Sequence, residues 1–172
     1  MPMGVTKVGT DKYAKDGIAY GAAALGVTEG IIYNKATFEK YGLSEPKTYE
    51  EFLAIMDVLA AAGETPLGIA GKELWHLEYW TNHFLRTACL SVSRSWLSEC
   101  ASGKRKWTDP EGVLVFERLR QIATGQRVMQ GWDTVTDNGL AYLMAEGKIT
   151  MIYVGASKLK AITELNPTMD LG

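Results

Sequence analysis

Residues that commonly build metal and disulfide sites are scarce in this sequence. Its 172 residues include two cysteines and two histidines. Cys89 and Cys100 lack the C-x-x-C spacing of zinc and redox motifs, and His76 and His83 are too few for an evident zinc site. We interpret the cysteines as thiols without a chemical role; an oxidising compartment would allow a disulfide between them. The sequence therefore predicts no metal and no cofactor.

Long apolar runs and an excess of positive charge are absent as well. No stretch approaches the roughly 20 apolar residues of a membrane-spanning helix. The N-terminal MPMGVTKVGTDKYAKDG lacks the apolar core of a signal peptide, so either the protein is cytosolic or a segment that directs export is missing from the chain. The formal net charge is -2, whereas nucleic-acid-binding proteins carry a basic face. The sequence predicts no nucleic-acid partner.

Sequence motifs of common enzyme classes are missing too. The chain contains no G-x-G-x-x-G after a strand, no G-x-x-x-x-G-K-S/T, no G-x-S-x-G and no H-E-x-x-H. Glu73, His76 and Asp133 are the polar residues left for a carboxylate–histidine site. A small cytosolic α/β enzyme that uses such a site is our alternative function, and the preferred prediction is a protein with no catalytic residue.

Strand and helix patterns alternate along the chain. GIIY, PLGIAG and ITMIYVG read as short buried strands. Asn34 caps the helix KATFEKY, and Gly42 ends it. Thr48 and Glu51 form a capping box at the start of the next helix, whose apolar residues recur at helical spacing at Phe52, Ile55, Met56 and Leu59. The alternation predicts an α/β fold with a small mixed or parallel sheet flanked by helices.

A later helix is expected in TDPEGVLVFERLRQIATG. Asp109 is its predicted cap and Pro110 its first residue. The apolar residues predicted to form its inner face are Val113, Phe116, Leu119 and Ile122 or Ala123.

Aromatic residues are abundant, with five tryptophans and eight tyrosines. We expect Tyr79 and Trp80 to fill the core. Trp75 differs because it follows the predicted strand LGIAG, and open α/β sheets bind ligands in the loops at the carboxyl ends of their strands. An aromatic ring there suits the apolar face of a sugar, and Glu73 beside it can accept hydrogen bonds from hydroxyl groups.

Three segments, in this order and spacing, resemble one known family. They are YGAAALGVTEGIIYNKATFEKYGLSEPKTYEEF, AAGETPLGIAGKELWHLEYW and AEGKITMIYVGASK. The chain resembles, from about Asp16 to Gly172, the extracellular solute-binding proteins of carbohydrate ABC importers, the maltose-binding-protein-like family 1.

The resemblance implies one lobe of a type II periplasmic-binding-protein-like fold, with the first lobe largely missing. Residues 1–29 would be a residual first-lobe segment and crossing strand, 30–154 the second lobe, and 155–172 the return segment. The full-length protein would be extracellular or periplasmic and membrane-associated. It would capture a sugar or oligosaccharide in the cleft between its lobes and deliver it to ABC permease subunits.

The resemblance also implies where the ligand binds. Trp75 falls where the family places a ring that stacks on sugar, with Glu73 beside it. The family commonly has an aromatic residue at the position of Ser157, so one stacking ring is missing here. The other implied ligand-binding residues are Gly26, Val27, Thr28 and Glu29 on the crossing strand, Gly155 and Ala156 with Ser157 on the returning strand, and Trp132 and Asp133 near the rim.

Because half of the cleft would belong to the missing lobe, we expect this chain alone to bind weakly or not at all. Its crossing strands would expose sheet edges, which favours a dimer, with domain swapping as one route. A third possibility is a folded, non-binding remnant of a transporter gene.

Overall fold

A small mixed sheet forms the centre of the protein, which we describe from a computed structural model for residues 14–16, 18–19 and 28–172. The strands of this part are β1 (Ala14–Lys15), β2 (Ile18–Ala19), β3 (Glu29–Tyr33), β4 (Leu67–Gly68) and β5 (Met151–Gly155). Strands β1 and β2 form a separate antiparallel pair. The main sheet has the order β3-β5-β4. β3 runs antiparallel to β5, and β4 runs parallel to it.

Helices connect and cover these strands. They are α1 (Lys35–Lys40), α2 (Tyr49–Ala61), α3 (Leu74–Phe84), a π-helical segment (Leu85–Cys89), α4 (Leu90–Val92), α5 (Trp96–Ala101), α6 (Pro110–Ala123), a 3₁₀ turn (Trp132–Thr134), α7 (Asp137–Ala145) and α8 (Ser157–Leu165). Within the described ranges, no helix is both long enough and apolar enough to span a bilayer. The predicted α/β fold with a small mixed sheet flanked by helices is confirmed.

The core lies on both faces of β5, which is buried at every position. Met151 and Tyr153 face one helical layer, where Phe38, Phe52 and Trp80 are also buried. Ile152 and Val154 face the other layer, which α7 and α8 supply. Alternate residues of a strand point to opposite faces of the sheet, so a strand covered on both faces must be apolar throughout.

Local capping agrees with the sequence pattern. The Asn34 side chain accepts a hydrogen bond from the Thr37 N–H at 3.3 Å, and Gly42 adopts a φ of 63° after α1. At the start of α2, Thr48 Oγ1 accepts from the Glu51 N–H at 3.1 Å. The Glu51 carboxylate accepts from the Lys47 N–H at 2.6 Å. In a standard capping box it would accept from the N–H of the cap residue, Thr48. The apolar stripe predicted for α2 is buried.

The predicted inner face of α6 is confirmed at Leu119 and Ile122 and wrong at Val113 and Phe116. Val113 is 39% exposed and Phe116 is 54% exposed, whereas Val115 and Ile122 are buried. The physical reason lies at Gly112, where a Cβ atom would come within 2.6 Å of the Trp107 carbonyl oxygen. Gly112 permits this close approach in the first turns of the helix, where Val115 rather than Val113 points inward and Phe116 packs edge-to-face against Trp107 with ring centroids 5.7 Å apart.

Two further expectations need correction. The strand predicted for PLGIAG is shorter, because only Leu67 and Gly68 pair with β5. Asp109 does precede α6, but its side chain makes no hydrogen bond to that helix. It accepts instead from the Lys106 N–H at 3.0 Å, so it closes the preceding turn.

Two valines on α6 test this helix orientation. Val115→Ala should lower the free energy of unfolding by about 2 kcal/mol, because it removes buried methyl groups and leaves a cavity. Val113→Ala is the matched control and should change it by less than about 0.5 kcal/mol. Both substitutions raise helix propensity equally, so the difference reports burial. Urea denaturation measures both values, and equal losses would contradict the orientation of α6.

Candidate functional site

The sheet topology collects five of the predicted ligand-binding residues at one edge. Since β4 is parallel and β3 antiparallel to β5, the carboxyl ends of β4 and β5 lie beside the amino end of β3. Glu29 pairs with Gly155, and the Thr28 carbonyl accepts from the Ala156 N–H at 2.8 Å. Ser157 follows as the exposed first residue of α8. Gly26 and Val27 lie outside the described residues.

The loop after β4 is fastened to the connection between α6 and α7. The Gly71 N–H donates to the Trp132 carbonyl at 2.8 Å, and the Lys72 N–H donates to the Val135 carbonyl at 3.1 Å. A Cβ atom at Gly71 would lie 2.3 Å from the Trp132 ring, so only glycine permits this approach. These contacts bring Trp132 and Asp133 beside the loop that leads to Glu73.

Trp75 stands partly exposed in the first turn of α3. Its side chain is 47% exposed, and its ring meets Tyr79 edge-to-face, with centroids 5.7 Å apart and an interplanar angle of 89°. Tyr79 in turn meets Tyr153 at 6.1 Å. Trp80 is buried, as expected for a core residue. An exposed aromatic ring therefore lies in the first turn of the helix whose N-cap residue is Glu73.

Glu73 has a structural partner that the sequence did not suggest. Its carboxylate does not cap its own helix. One carboxylate oxygen accepts from the Asp137 N–H at 2.5 Å, at the start of α7. Only part of its hydrogen-bonding capacity therefore remains for a ligand, because an ionised carboxylate has two oxygens with about four lone-pair sites.

Asp137 lies at the start of α7 and contacts the first turns of α3 and α8. It was not among the residues predicted from the sequence. Its carboxylate contacts Lys158 Nζ of α8 and lies 3.6 Å from His76 Nε2 of α3. His76 is fully buried, and neither ring nitrogen has a hydrogen-bond partner. Burial lowers the pKa of His76, while the charge of Asp137 acts in the opposite direction. Because these residues are far apart in the chain, no local spacing could have revealed the cluster.

A second polar group lies at the start of β3. The Tyr153 hydroxyl donates to Glu29 Oε2 at 3.3 Å, and Arg86 Nη1 lies 3.8 Å from the same oxygen. Burial, followed by the charge of Glu29, raises the pKa of Tyr153 to about 12. The hydroxyl is therefore protonated near neutral pH and available as the donor.

The edge can hold a ligand that offers both hydroxyl groups and an apolar face. Trp75 and Trp132 supply exposed rings, while Glu29, Glu73 and Ser157 supply polar atoms. No set of three His, Cys, Asp or Glu side chains suited to a metal ion occurs in the ranges described. His76 is the histidine that the alternative carboxylate–histidine site would use, and its side chain is inaccessible to solvent.

The histidines make stability depend on pH. Burial lowers the pKa of both His76 and His83, so each folded value lies below the unfolded value of about 6.5. The unfolded chain then binds more protons below that pH, and the free energy of unfolding should fall as the pH drops from 7 to 5.5. Carboxylates titrate near pH 4, below this window.

Denaturant unfolding at several pH values measures this dependence. His76→Gln should give a shallower slope between pH 7 and 5.5 than the unmodified chain, and the additional change His83→Gln should flatten it further. A stability that stays constant or rises as the pH falls through this window would contradict the assignment.

Comparison with known proteins gives a consistent family. Residues 4–168 match the family described as bacterial extracellular solute-binding protein. The "Multiple sugar-binding protein" of Streptococcus mutans is 25% identical over 170 residues, which are 94% of this chain and 39% of that protein. The chain thus spans about two fifths of the length of this curated relative.

Solved structures share the fold. RafE in complex with raffinose superposes with a TM-score of 0.75 at 24% identity, over 98% of this chain and 44% of that one; its apo form is from Streptococcus pneumoniae. A sugar transporter of Bacillus licheniformis in complex with stachyose gives 0.76 at 20% identity, with the same coverage. The match of the family model over residues 4–168 confirms the family that the sequence resembles: the chain belongs to the bacterial extracellular solute-binding proteins.

Proposed function

We propose that this chain is the sugar-binding part of an ABC importer, which captures a sugar or oligosaccharide outside the cytoplasmic membrane and delivers it to a permease. The observation that carries the proposal is the exposed ring of Trp75, two residues after Glu73 in the first turn of the helix that follows β4. The relatives that bind raffinose and stachyose support an oligosaccharide as ligand. The protein binds its ligand and does not transform it.

The binding mode follows from the chemistry of the edge. The Trp75 ring covers the apolar face of one sugar unit, and Glu73, Glu29, Ser157 and backbone groups hold hydroxyls. Closure of a cleft around the ligand would exclude water and strengthen these hydrogen bonds. A sugar that lacks a hydroxyl would leave a buried polar group unpaired, which makes such a site selective.

We also propose the division of the chain into a residual first-lobe segment (1–29), a second lobe (30–154) and a return segment (155–172). The last residues lie against the second-lobe part: the Lys35 N–H donates to the Asp170 carbonyl at 3.1 Å, and Tyr33 and Gly172 exchange two backbone hydrogen bonds of 3.0 and 3.1 Å. The ligand cleft would lie between this lobe and chain outside the 172 residues.

The source DNA on both sides of this coding sequence tests the lobe assignment. We expect the reading frame to continue upstream of Met1 through another α/β half and a signal peptide, and downstream of Gly172. A stop codon and a ribosome-binding site directly before Met1 would contradict the proposed cleft between two lobes and favour the stand-alone or remnant alternatives.

Binding is tested by calorimetric titration of raffinose and stachyose into the protein that the whole gene encodes. Trp75→Ala should weaken binding by about tenfold or more, because it removes an aromatic platform. Trp107→Ala is the matched control, since Trp107 is similarly exposed but lies before α6, and it should leave binding unchanged. Equal affinities of the two variants would refute the role of Trp75.

A dimer of the 172-residue chain is a further proposal, and the Glu29–Ile31 part of β3 provides its edge, because the Tyr33 end of the strand pairs with Gly172. Ile31 is 36% exposed there, and an open strand edge favours pairing with another chain. Multi-angle light scattering should show a mass that rises from monomer to dimer with concentration. Ile31→Lys should shift this rise to higher concentration, and Val58→Lys, at an exposed position of α2, should not. A constant monomer mass would contradict the dimer.

A further inference from the structure

One face of α3, continued by the π-helical segment, lies open to solvent beyond Trp75. Trp75, Tyr79, His83 and Arg86 follow one another at intervals of four, four and three residues, which places them on the same side of the helix. Three of them are exposed and Tyr79 is partly exposed, whereas the opposite side of α3 is buried. We call these four residues the α3 stripe. With a rise of about 1.5 Å per residue, the stripe is about 16 Å long.

Aromatic contacts with the sheet connect the members of the stripe. Tyr79 meets Trp75 at 5.7 Å and Tyr153 of β5 at 6.1 Å, and His83 meets Tyr153 at 5.5 Å between ring centroids. Tyr153 is buried, so it supports both neighbours from below. The rings therefore form a continuous wall that begins at the proposed sugar site around Trp75 and ends near the start of β3.

A donor and an acceptor stand together at the far end of this wall. Arg86 Nη1 lies 3.8 Å from Glu29 Oε2, which is too far for a hydrogen bond. This ion pair therefore leaves the five N–H donors of the guanidinium free for a ligand. The Arg86 side chain is 64% exposed, so a ligand can reach it. Because the two charges balance each other, the pair favours a neutral ligand over a charged one.

His83 adds a further acceptor beside this pair. The Tyr153 hydroxyl donates its one proton to Glu29 at 3.3 Å, so its 3.5 Å contact with His83 Nδ1 assigns the ring proton to Nδ1. Burial, followed by the charge of Arg118, lowers the pKa of His83, which leaves Nε2 as an acceptor near neutral pH. Glu29, His83 and Tyr153 also line a groove of about 440 Å³, so this end of the wall has room for a ligand.

We propose that the α3 stripe selects neutral oligosaccharides of three or more units, with Arg86, Glu29 and His83 holding a sugar unit that lies beyond the one on Trp75. This inference rests on the proposed sugar-binding function. Neighbouring hydroxyls of a pyranose donate as well as accept, which matches a guanidinium beside a carboxylate. A single ring cannot extend along a wall of about 16 Å, whereas three linked rings can.

The test compares melibiose, raffinose and stachyose, which contain two, three and four sugar units. Each is titrated calorimetrically into the protein that the whole gene encodes, and the affinity should rise from melibiose to raffinose. Arg86→Ala should weaken binding of raffinose and stachyose by about tenfold, the ratio that one hydrogen bond to a charged group gives. It should leave melibiose binding unchanged, because a disaccharide on Trp75 does not reach Arg86.

Two further variants complete the series. His83→Ala should weaken raffinose and stachyose by about fivefold, as expected for a neutral hydrogen bond, and again spare melibiose. Arg94→Ala is the matched control, since Arg94 is an exposed arginine between α4 and α5, and it should change none of the three affinities.

Some results would overturn the inference and leave the proposed function in place. Equal losses for melibiose and stachyose in Arg86→Ala would show that Arg86 does not select for length. Unchanged affinities for all three sugars in Arg86→Ala, together with weakened binding in Trp75→Ala, would place the ligand on Trp75 but away from the rest of the stripe. If the unmodified protein binds none of the three sugars, the proposed function fails and this inference fails with it.

Discussion

Burial of β5 on both faces is the constraint on which the rest of this structure depends. Its residues alternate between two helical layers, and neither layer could form a core without it. The strand is also the shared partner of β3 and β4. The register of β3 and β4 is therefore set by their pairing with β5. A shift of either strand by one residue would move its side chains to the opposite face of the sheet.

The directions of the three strands then decide what meets at the sheet edge. The antiparallel pairing of β3 places residues 28–29 beside 155–156, and the contacts of Asp137 with Glu73 and Lys158 connect the starts of α3 and α8. Asp137 connects the first turns of α3, α7 and α8. Its carboxylate contacts Lys158 and lies near His76, and its backbone N–H donates to Glu73. An ion pair that is only partly exposed is screened little by salt, so this cluster can keep the proposed sugar site in one geometry.

Helix α3 borders two regions whose side chains differ in polarity. Its first turn presents the exposed ring of Trp75, two residues after Glu73, at the proposed sugar site. Its middle buries Trp80 between the sheet and an apolar cavity. Both regions contain tryptophan, and the difference between them is the presence of carboxylates in one and their absence in the other.

Local features were decided by the sequence itself. The caps at Asn34 and Thr48, the buried stripe of α2 and the apolar run of β5 depend on residues within a few positions of each other, and each was predicted correctly. The position of Trp75 after a strand also followed from the pattern. The inner face of α6 followed at Leu119 and Ile122 but not at Val113 and Phe116, near Gly112 and its close approach to Trp107. The π-helical segment at Leu85–Cys89 left no pattern in the sequence that marked it.

Contacts between residues that are far apart in the sequence were decided by the tertiary structure. The sequence marked Glu73 as a hydrogen-bond acceptor, yet only the fold placed the Asp137 N–H within 2.5 Å of it. The same holds for His76 beside Asp137 and for the unpaired N–H of Trp80. Periodicity and capping are interactions along one segment of chain, whereas these contacts depend on how separate helices are oriented around β5, and that orientation is set by packing of the whole core.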